Sequence, residues 1–391
     1  MDIKCELARR LEAKDDTYNA IGAEIKQHRI DKGKTLSAIA DKNCSISYIC
    51  KVERNQIKPS QKYLRDICKK VGISEEHEAY LLESRELLIE AVKLFYFKSL
   101  DKENEILNKL DGLDNHRVEL IRLIFAINRE DYKEALRCIK KLEKLTGSLA
   151  TLDLMLFVSF YGIYLYYEGD YISSADYLKL GIMHHLDIDY ILPIQLSYLF
   201  NDAVITHSPN TSFYYNRLIN EALNYGDNLK LDSVHYNMAY YYLLEENYDG
   251  FKSILKKIAN QKKINTLDYI YNLRLENYKD YQIEELDEIG KCYYKIYNNS
   301  DDAKVFINKA NIKIENKYYL NYLYLKNHSL DQAYEFLMNV AFPVAINKHL
   351  YYDADYYLEE MAMSIHRPNK YKIFLDMYLE LKMVKNQVRQ I

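Results

Sequence analysis

Apolar residues recur three and four positions apart along most of the chain, which is the period of an amphipathic α-helix. Ile21 and Ile25 begin the first clear stripe, and Gly33 stands where a helix would end. From residue 75 the same period continues through the rest of the chain, first as one long helix over residues 75–98. The pattern predicts an all-α protein.

The first segment is predicted to hold several short helices. Thr35 can cap the second of these, which we expect to run through Asp41. A break at residues 43–45 precedes a third helix over residues 46–54. Asn55 follows where a residue in the left-handed conformation would close that helix. Two short helices separated by a tight break are typical of a helix-turn-helix.

Charge divides the chain into two parts. Residues 19–73 carry 12 Lys and Arg against 5 Asp and Glu, whereas residues 74–391 carry 37 against 47. A small basic module on a large acidic body indicates a nucleic-acid reader joined to a second functional region. With only 11 Gly and 5 Pro in 391 residues, long helices fit better than a turn-rich β-protein or an enzyme with glycine-rich nucleotide loops.

Six cysteines lie at positions 5, 44, 50, 68, 138 and 292, and no pair has the C-x-x-C spacing of a zinc site. We interpret Cys44, Cys50 and Cys68 as small core or half-buried residues. Scattered thiols without a signal peptide indicate a reducing cytoplasm. The most apolar run, residues 152–167, contains Asp153 and is too short to span a bilayer. No membrane segment, metal or other cofactor is expected.

The first segment resembles the helix-turn-helix domain of phage-repressor-like regulators over residues 19–73. Leu36 departs from the family pattern, in which Gln is common, and the turn between the central helices is shorter and lacks its Gly. Regulators resembling PlcR share the shorter turn. The matching positions are Ile21-Gly22, Ile25, Arg29, Lys32-Gly33, Thr35, Ile39-Ala40, Ser47-Tyr48-Ile49, Val52-Glu53-Arg54, Pro59-Ser60, Leu64, Ile67 and Val71-Gly72-Ile73.

In this family the third helix lies in the major groove, and the resemblance implies roles for particular side chains. Arg29 and Glu53 occupy positions that form a structural ion pair in the family. The alternative is that the module mediates only protein contacts. The expected contacts to bases or nearby phosphates are Ser45, Ile46, Ser47, Tyr48 and Lys51, and those to phosphates are Lys34, Thr35, Arg54 and Lys58.

A stretch of the acidic body resembles a tetratricopeptide hairpin. Gly162 lies in a first helix, residues 169–171 mark a turn, and the small residues Ser174 and Gly181 allow a second helix to pack closely. We expect roughly six to eight degenerate hairpins stacked into an α-solenoid with a concave inner wall. An irregular helical bundle is the alternative. Weaker echoes begin at Asp131, Asn247 and Leu330.

A repressor-like head on a degenerate tetratricopeptide body resembles the peptide-pheromone receptors of Gram-positive bacteria and their phages. This group, known as RRNPP, includes Rgg-, PlcR- and PrgX-like regulators and the arbitrium receptors that set phage lysis or lysogeny. The resemblance implies a transcription regulator that an imported peptide switches, in quorum sensing or phage communication. Tyrosine-rich segments similar to the end of arbitrium receptors lie at residues 318–324, 334–336 and 357–361.

A groove for a linear peptide needs side chains that both donate and accept hydrogen bonds, as the Asn amide does. Asn201, Asn237 and Asn272 recur at separations of 36 and 35, about one repeat. We expect the three amides to line the groove, with Tyr198 and Tyr241 beside them. The alternative is a chance spacing in a chain rich in Asn.

Enzyme motifs are missing from the sequence. There is no G-x-G-x-x-G, no Walker loop, no G-x-S-x-G and no H-E-x-x-H. His184-His185 with His207 and His235 come nearest to a cluster, but neighbouring residues on a helix point apart. A non-enzyme without cofactors is expected.

Four segments follow from these patterns: an extension at 1–18, the helix-turn-helix domain at 19–74, a connecting helix at 75–98 and a tetratricopeptide-like domain for peptide binding and dimerisation at 99–391. Such heads read paired half-sites, so duplex operator DNA and a second copy of the chain are expected partners. The resemblance to peptide-pheromone receptors adds a short linear signalling peptide. Two alternatives stay open. One is a repressor-type regulator whose body binds a protein partner or only oligomerises, and the other is a scaffold that binds no DNA.

Overall fold

The computed structural model describes residues 21–42, 44–73, 77–110, 115–183, 188–226, 228–277, 281–363 and 368–388. Within these ranges every regular element is a helix and no strand occurs, so the all-α prediction is confirmed. The predicted extension at 1–18, Asn43 of the predicted break and His184-His185 lie outside the described residues. The chain divides into two compact units, one ending at Leu199 and the other beginning at Phe200.

The described part of the first unit begins with four short helices, which we call the head: α1 (Ile21–Asp31), α2 (Leu36–Ile39), α3 (Ile46–Glu53) and α4 (Gln61–Val71). These helices share one apolar core, because each contributes side chains from a single face. Cys44 is buried in this core and Cys68 packs against it, as expected of small core residues. The fully buried aliphatic side chains at its centre are Ile25, Ile39, Ile49, Val52, Ile67 and Val71.

Three helix ends in the head form as the sequence predicts. Gly33 closes α1 with a φ of +61°, and Asn55 follows α3 with a φ of +54°, the left-handed region that Gly and Asn tolerate best. The Thr35 hydroxyl caps α2 by accepting a hydrogen bond from the N–H of Ala38 at 3.2 Å.

The second helix is shorter than predicted, because α2 ends at Ile39 and does not reach Asp41. The Asp41 carboxylate accepts a hydrogen bond from the N–H of Cys44 at 2.9 Å and so forms a local turn. The Lys70 ammonium donates to the carbonyl of Ile39 at 2.9 Å and also contacts the Asp41 carboxylate. These side-chain bonds replace the helical ones and end the helix.

Helix α5 (His77–Phe97) occupies the segment predicted to connect head and body. Its second half is part of the core, since Leu88, Val92 and Phe95 are buried and the helix packs against α7 (His116–Asn128). The boundaries predicted at 74 and 98 stay predictions, while the compact unit that contains the head continues to Leu199.

The rest of the first unit consists of paired helices. Sequence neighbours pack against each other as three pairs: α5 with α6 (Leu100–Lys109), α7 with α8 (Tyr132–Glu143), and α9 (Thr151–Glu168) with α10 (Tyr171–Met183). The first helices also pack on one another, since α7 contacts both α5 and α9. Packing of each first helix on the first helix of the next pair is how an α-solenoid grows.

The hairpin predicted around Gly162 is confirmed as α9 and α10. A Cβ added at Gly162 would lie 3.2 Å from the carbonyl oxygen of Ser174. A Cβ added at Gly181 would lie 2.8 Å from the hydroxyl of Ser159. Glycine at these two positions lets the two helices and their neighbour approach closely.

In the second unit, too, helices that follow each other in the sequence pack together. Its first helix, α11 (Ile191–Ile205), begins before the boundary between the units. A π-helical turn, Leu337–Ala341, joins α19 (Leu330–Phe336) to α20 (Phe342–Asn347). The other helices are α12 (Thr211–Asn224), α13 (Asn228–Leu244), α14 (Tyr248–Leu255), α15 (Gln261–Arg274), a 3-10 turn (Ile283–Glu285), α16 (Glu288–Tyr297), α17 (Ala303–Lys309), α18 (Ile314–His328), α21 (Tyr351–Met363) and α22 (Pro368–Val388).

One type of turn recurs between paired helices. A residue with positive φ ends the first helix, and the N–H of the next residue bonds to a carbonyl five positions earlier, as Asp170 does to Leu165 at 3.0 Å. In five of these turns the same residue directly precedes the next helix, namely Ser99, Asp131, Asp170, Asn247 and Leu350. The positive-φ residues of this turn are Lys98, Glu130, Gly169, His207, Glu246, Glu276, Asn299 and His349.

Candidate functional site

Helix α3 has one buried and one exposed face. Ile49 and Val52 point into the core of the head. Ile46, Ser47 and Lys51 are exposed, and Ile46 keeps 49% of its surface accessible. At 3.6 residues per turn these three side chains share one side of the helix. They form the surface that the sequence predicted to read DNA, and we call it the α3 face.

A bidentate ion pair holds α3 in place. Arg29 of α1 donates from Nε to Glu53 Oε1 at 2.6 Å and from Nη2 to Oε2 at 2.8 Å. A third bond joins its Nη1 to the carbonyl of Lys34 at 3.1 Å. Two parallel bonds to one carboxylate fix both distance and angle. The predicted pair is therefore present, and it is structural.

Two hydroxyls expected near DNA serve as caps. Ser45 starts α3 by accepting a hydrogen bond from the N–H of Tyr48 at 3.2 Å, as Thr35 does for α2. Both residues are exposed. Arg54 and Lys58, the expected phosphate contacts after α3, are exposed as well.

Tyr48 and Lys34 are placed differently from the expectation. The ring of Tyr48 packs edge-on against Tyr63 with centroids 5.7 Å apart, and burial raises the pKa of its hydroxyl. The Lys34 ammonium donates to the carbonyl of Lys70 near the end of α4. Both side chains support packing within the head, and neither lies on the α3 face.

The second unit contains a cavity of about 680 Å³, lined by residues of α11, α13, α15, α16, α18 and α21. Pockets that hold small ligands typically measure roughly 300–1,000 Å³. Aromatic rings make up much of the wall. The tyrosines that line it are Tyr236, Tyr240, Tyr319, Tyr352, Tyr356 and Tyr357.

Charged groups on the cavity wall are mostly acidic. Two cations, Arg274 and Lys313, line it. The surplus of carboxylates favours a ligand with positive charge. The acidic lining residues are Glu246, Asp287, Glu288, Glu315, Asp353 and Glu359.

Two of these groups lack partners inside the described part of the chain. Arg274 lines the cavity between tyrosines such as Tyr240 and Tyr319, and it makes no hydrogen bond or ion pair with a described residue. Asp353 also has none, and burial together with the charge of Glu315 raises its pKa to about 7. Glu315 is itself paired with Lys348 at 3.2 Å. The cavity thus offers one anion-seeking and one cation-seeking group, neither of which the sequence had singled out.

The three asparagines of the predicted ladder have different positions. Asn237 lines the cavity and donates from Nδ2 to Asn201 Oδ1 at 2.9 Å, so these two amides do meet. Asn272 is buried, and its amide bonds to the carbonyl of Asp268 at 2.6 Å and to Asn277 at 3.0 Å. The three amides therefore do not form one row on the cavity wall.

The two predicted tyrosines are not among the residues that line the cavity. Tyr198 is buried in the first unit, where its hydroxyl lies 2.9 Å from that of Tyr167. Tyr241 packs beside His207 with ring centroids 5.8 Å apart.

An aromatic stack crosses the cavity wall. His207 follows α11, and Tyr352 lies in the first turn of α21. Their rings are parallel within 8° with centroids 3.8 Å apart, and both line the cavity. The Glu245 carboxylate bonds to Nδ1 of His207 and holds the imidazole in the stack. The stack therefore joins the end of α11 to the start of α21, the first and the last of the helices that line the cavity.

The described residues contain neither a cluster suited to a metal ion nor a helix suited to spanning a membrane. In the ranges given above, no three His, Cys, Asp or Glu side chains are arranged so that they could hold a metal ion. No described helix combines the length and apolar character needed to cross a bilayer.

No protein-family model matches the chain, and no curated protein sequence matches it significantly. Several solved structures are similar to this chain. PlcR from Bacillus thuringiensis, crystallised with the peptide PapR7 and DNA, is 14% identical with a TM-score of 0.37, over 66% of this chain and 96% of PlcR. The apo form of the competence regulator ComR from Streptococcus vestibularis is 14% identical with a TM-score of 0.36, over 79% of this chain and 98% of ComR.

A third similar structure is the SHP pheromone receptor Rgg2 from Streptococcus dysgalactiae. It is 16% identical with a TM-score of 0.28, over 65% of this chain and 97% of Rgg2. PlcR- and Rgg-like regulators, both named above for their resemblance to the sequence, are thus among the solved structures to which this chain is similar.

Proposed function

We propose that this protein is a cytoplasmic transcription regulator that binds operator DNA through its head and is switched by a short linear peptide bound in the cavity. It acts as a homodimer, because two heads are needed to read paired half-sites with the usual affinity. The observation that carries the proposal is the exposed α3 face on a basic head, held in place by the partly buried Arg29–Glu53 pair.

On DNA, α3 lies in the major groove with the α3 face toward the bases. Ser47 and Lys51 contact base edges, and Ile46 contacts thymine methyl groups. Arg54 and Lys58 bind phosphates and set the register. Ser45 and Thr35 lie at the exposed starts of their helices, from which they reach the backbone. Tyr48 and Lys34 position these groups from within the head.

The peptide proposal rests on the polar groups of the cavity. A half-buried guanidinium without a partner is stabilised by an anion, so Arg274 binds a peptide carboxylate through two parallel bonds. Asp353 and Glu315 bind a peptide ammonium or basic side chain. Asn237, supported by Asn201, donates to and accepts from the peptide backbone. Apolar peptide side chains pack against the tyrosines.

The DNA half is tested by fluorescence anisotropy with duplexes from the region flanking the gene, at two salt concentrations. Replacing both Ser47 and Lys51 by Ala should weaken specific binding by roughly tenfold or more, since each base contact is worth about 1–3 kcal/mol. Lys144→Ala, which removes an exposed charge outside the head, is the matched control. Equal binding by wild type and the double variant would contradict the assignment of α3.

The peptide half is tested by calorimetry with synthetic peptides cut from the C-terminus of the nearest short reading frame. Arg274→Gln and Asn237→Ala should each lower affinity by roughly tenfold, because a group that pairs with the peptide is lost. Asn224→Ala, an exposed amide outside the cavity wall, should bind normally. Tight DNA binding that ignores every peptide would instead favour a repressor whose body binds a protein partner or only oligomerises.

A further inference from the structure

A buried histidine connects the head to the paired helices behind it. Glu24 of α1, His116 of α7 and Asp153 of α9 are each 0% exposed. Nδ1 of His116 lies 2.7 Å from Glu24 Oε1, and Nε2 lies 2.8 Å from Asp153 Oδ2. One imidazole therefore joins three helices, the first of which belongs to the head.

The charges in this cluster balance when the ring is protonated. Only an imidazolium donates from both nitrogens at once. Arg117, next to His116 on α7, donates from Nε to the second oxygen of Asp153 at 2.9 Å, and His28 of α1 lies 4.0 Å from Glu24. Burial opposes the ring's charge, but bonds and charges from Asp153 and Glu24 outweigh it and raise the pKa of His116 to about 9.

A second link joins the end of α3 to the same region. Asn55 accepts a hydrogen bond at Oδ1 from the N–H of Gly22 at 3.2 Å, which keeps α1 against α3. Its Nδ2 donates to the carbonyl of Ser148 at 2.6 Å, in the segment between α8 and α9. One amide thus connects the candidate DNA-reading helix to the paired helices.

We propose that these two links, Glu24–His116–Asp153 and Asn55–Ser148, hold the head in one orientation on α7 to α9 and so determine the half-site spacing that the protein accepts. The inference rests on the proposed DNA-binding function. His116 and Asn55 act as positioning residues that touch no DNA. A head on a loose tether adapts to several spacings, whereas a fixed head matches one. Each added base pair turns the second half-site by about a tenth of a helical turn, and a rigid pair of heads must twist or bend the DNA to follow it.

The test measures binding to duplexes whose two half-sites are separated by a series of spacings in steps of one base pair, and to a duplex with a single half-site. Full-length wild type should prefer one spacing by roughly tenfold or more over its neighbours. Asn55→Asp keeps the acceptor for Gly22 but places a carboxylate against the carbonyl of Ser148, so it disrupts only the link to the body. His116→Gln removes the charge that joins Glu24 and Asp153.

Both variants should bind several spacings with similar affinity while binding the single half-site as wild type does. A merely structural role would instead weaken every duplex alike. If His116→Gln fails to fold, as judged by circular dichroism, Asn55→Asp decides the question alone. A spacing preference that survives in the folded variants overturns the inference, and so does a wild type that binds all spacings equally. A wild type that binds no duplex refutes the proposed function and this inference together.

Discussion

Raising the pH should destabilise the first unit through one buried side chain, His116. In the folded chain its pKa is raised from 6.5 to about 9. Because the folded chain holds the proton more tightly than the unfolded chain, the contribution of His116 to stability is complete below about pH 6.5. It then declines as the pH rises and is lost above about pH 9.

The size of the effect follows from the two pKa values. They differ by roughly 2.5, and each unit corresponds to about 1.4 kcal/mol, so the bridge loses about 3 kcal/mol of stabilisation over this range. His116→Gln should lose this part of the pH dependence. It should also destabilise the unit by about 3–5 kcal/mol, because Glu24 and Asp153 would stay buried without the cation between them.

The stability of this unit alone is measured by urea unfolding at pH 6.5, 7.5 and 8.5. Unfolding is monitored by hydrogen-exchange mass spectrometry on peptides from α7 and α9. Wild type should become less stable with each step in pH, and His116→Gln should change little. His328→Gln, which alters an exposed histidine, is the control and should behave as wild type. Parallel pH profiles for wild type and His116→Gln would refute the reasoning.

Three further predictions concern the head and the cavity. Gly22→Ala should destabilise the head by about 1–3 kcal/mol in thermal denaturation, because the new Cβ would lie 2.6 Å from the carbonyl oxygen of Val52. Affinity for a free-amine peptide should rise severalfold from about pH 6 to pH 7.5 in calorimetry as Asp353 ionises, given its pKa of about 7, and Asp353→Asn should abolish this rise. His207→Ala removes the ring that stacks on Tyr352 and so opens the cavity wall at this point. Peptide should therefore associate and dissociate faster in stopped-flow measurements.

Each of these predictions has an outcome that contradicts it. An unchanged melting curve for Gly22→Ala would mean that α1 and α3 can separate at no cost. A peptide affinity that rises equally in Asp353→Asn would assign the pH dependence to another group. Unchanged peptide rates in His207→Ala would show that the peptide does not pass the stack.

Local chemistry made much of the head predictable from sequence. Gly33, Thr35 and Asn55 act within a few residues of themselves, so their effects on helix ends follow from residue type. Asp41 shows the limit of this reasoning. Its helix ended early because Lys70, 29 residues further along, bonds to the carbonyl of Ile39 and to the Asp41 carboxylate. No local sequence pattern predicts a contact between residues so far apart in the chain.

The degenerate repeats have a similar explanation. A search guided by Gly169-Asp170-Tyr171 finds few matches, because the turn depends on a left-handed residue and not on glycine as such. Glu130 and Glu246 adopt the same conformation with φ values of +61° and +57°. Conformation is therefore repeated more faithfully than sequence.

The candidate cavity was only partly predictable. Asn237 was found because its spacing matched one repeat, but the same spacing pointed to Asn272, whose amide is used internally, instead of Arg274 two residues later. Asp353 and Glu315 come from different helices and meet only through tertiary packing. Because the repeats differ in length, the sequence spacing of these two residues does not show that they lie close together.

The cavity wall comes entirely from residues beyond 200, while the α3 face and its links to α7 and α9 lie before 200. The gene segments that encode the cavity and the α3 face can therefore be exchanged independently of each other. Under the proposed function, recombination near this junction would give a descendant a new signal while it keeps its old operators, or new operators under an old signal. Such exchange would let related lineages come to respond to different peptides without new substitutions in either the cavity or the head.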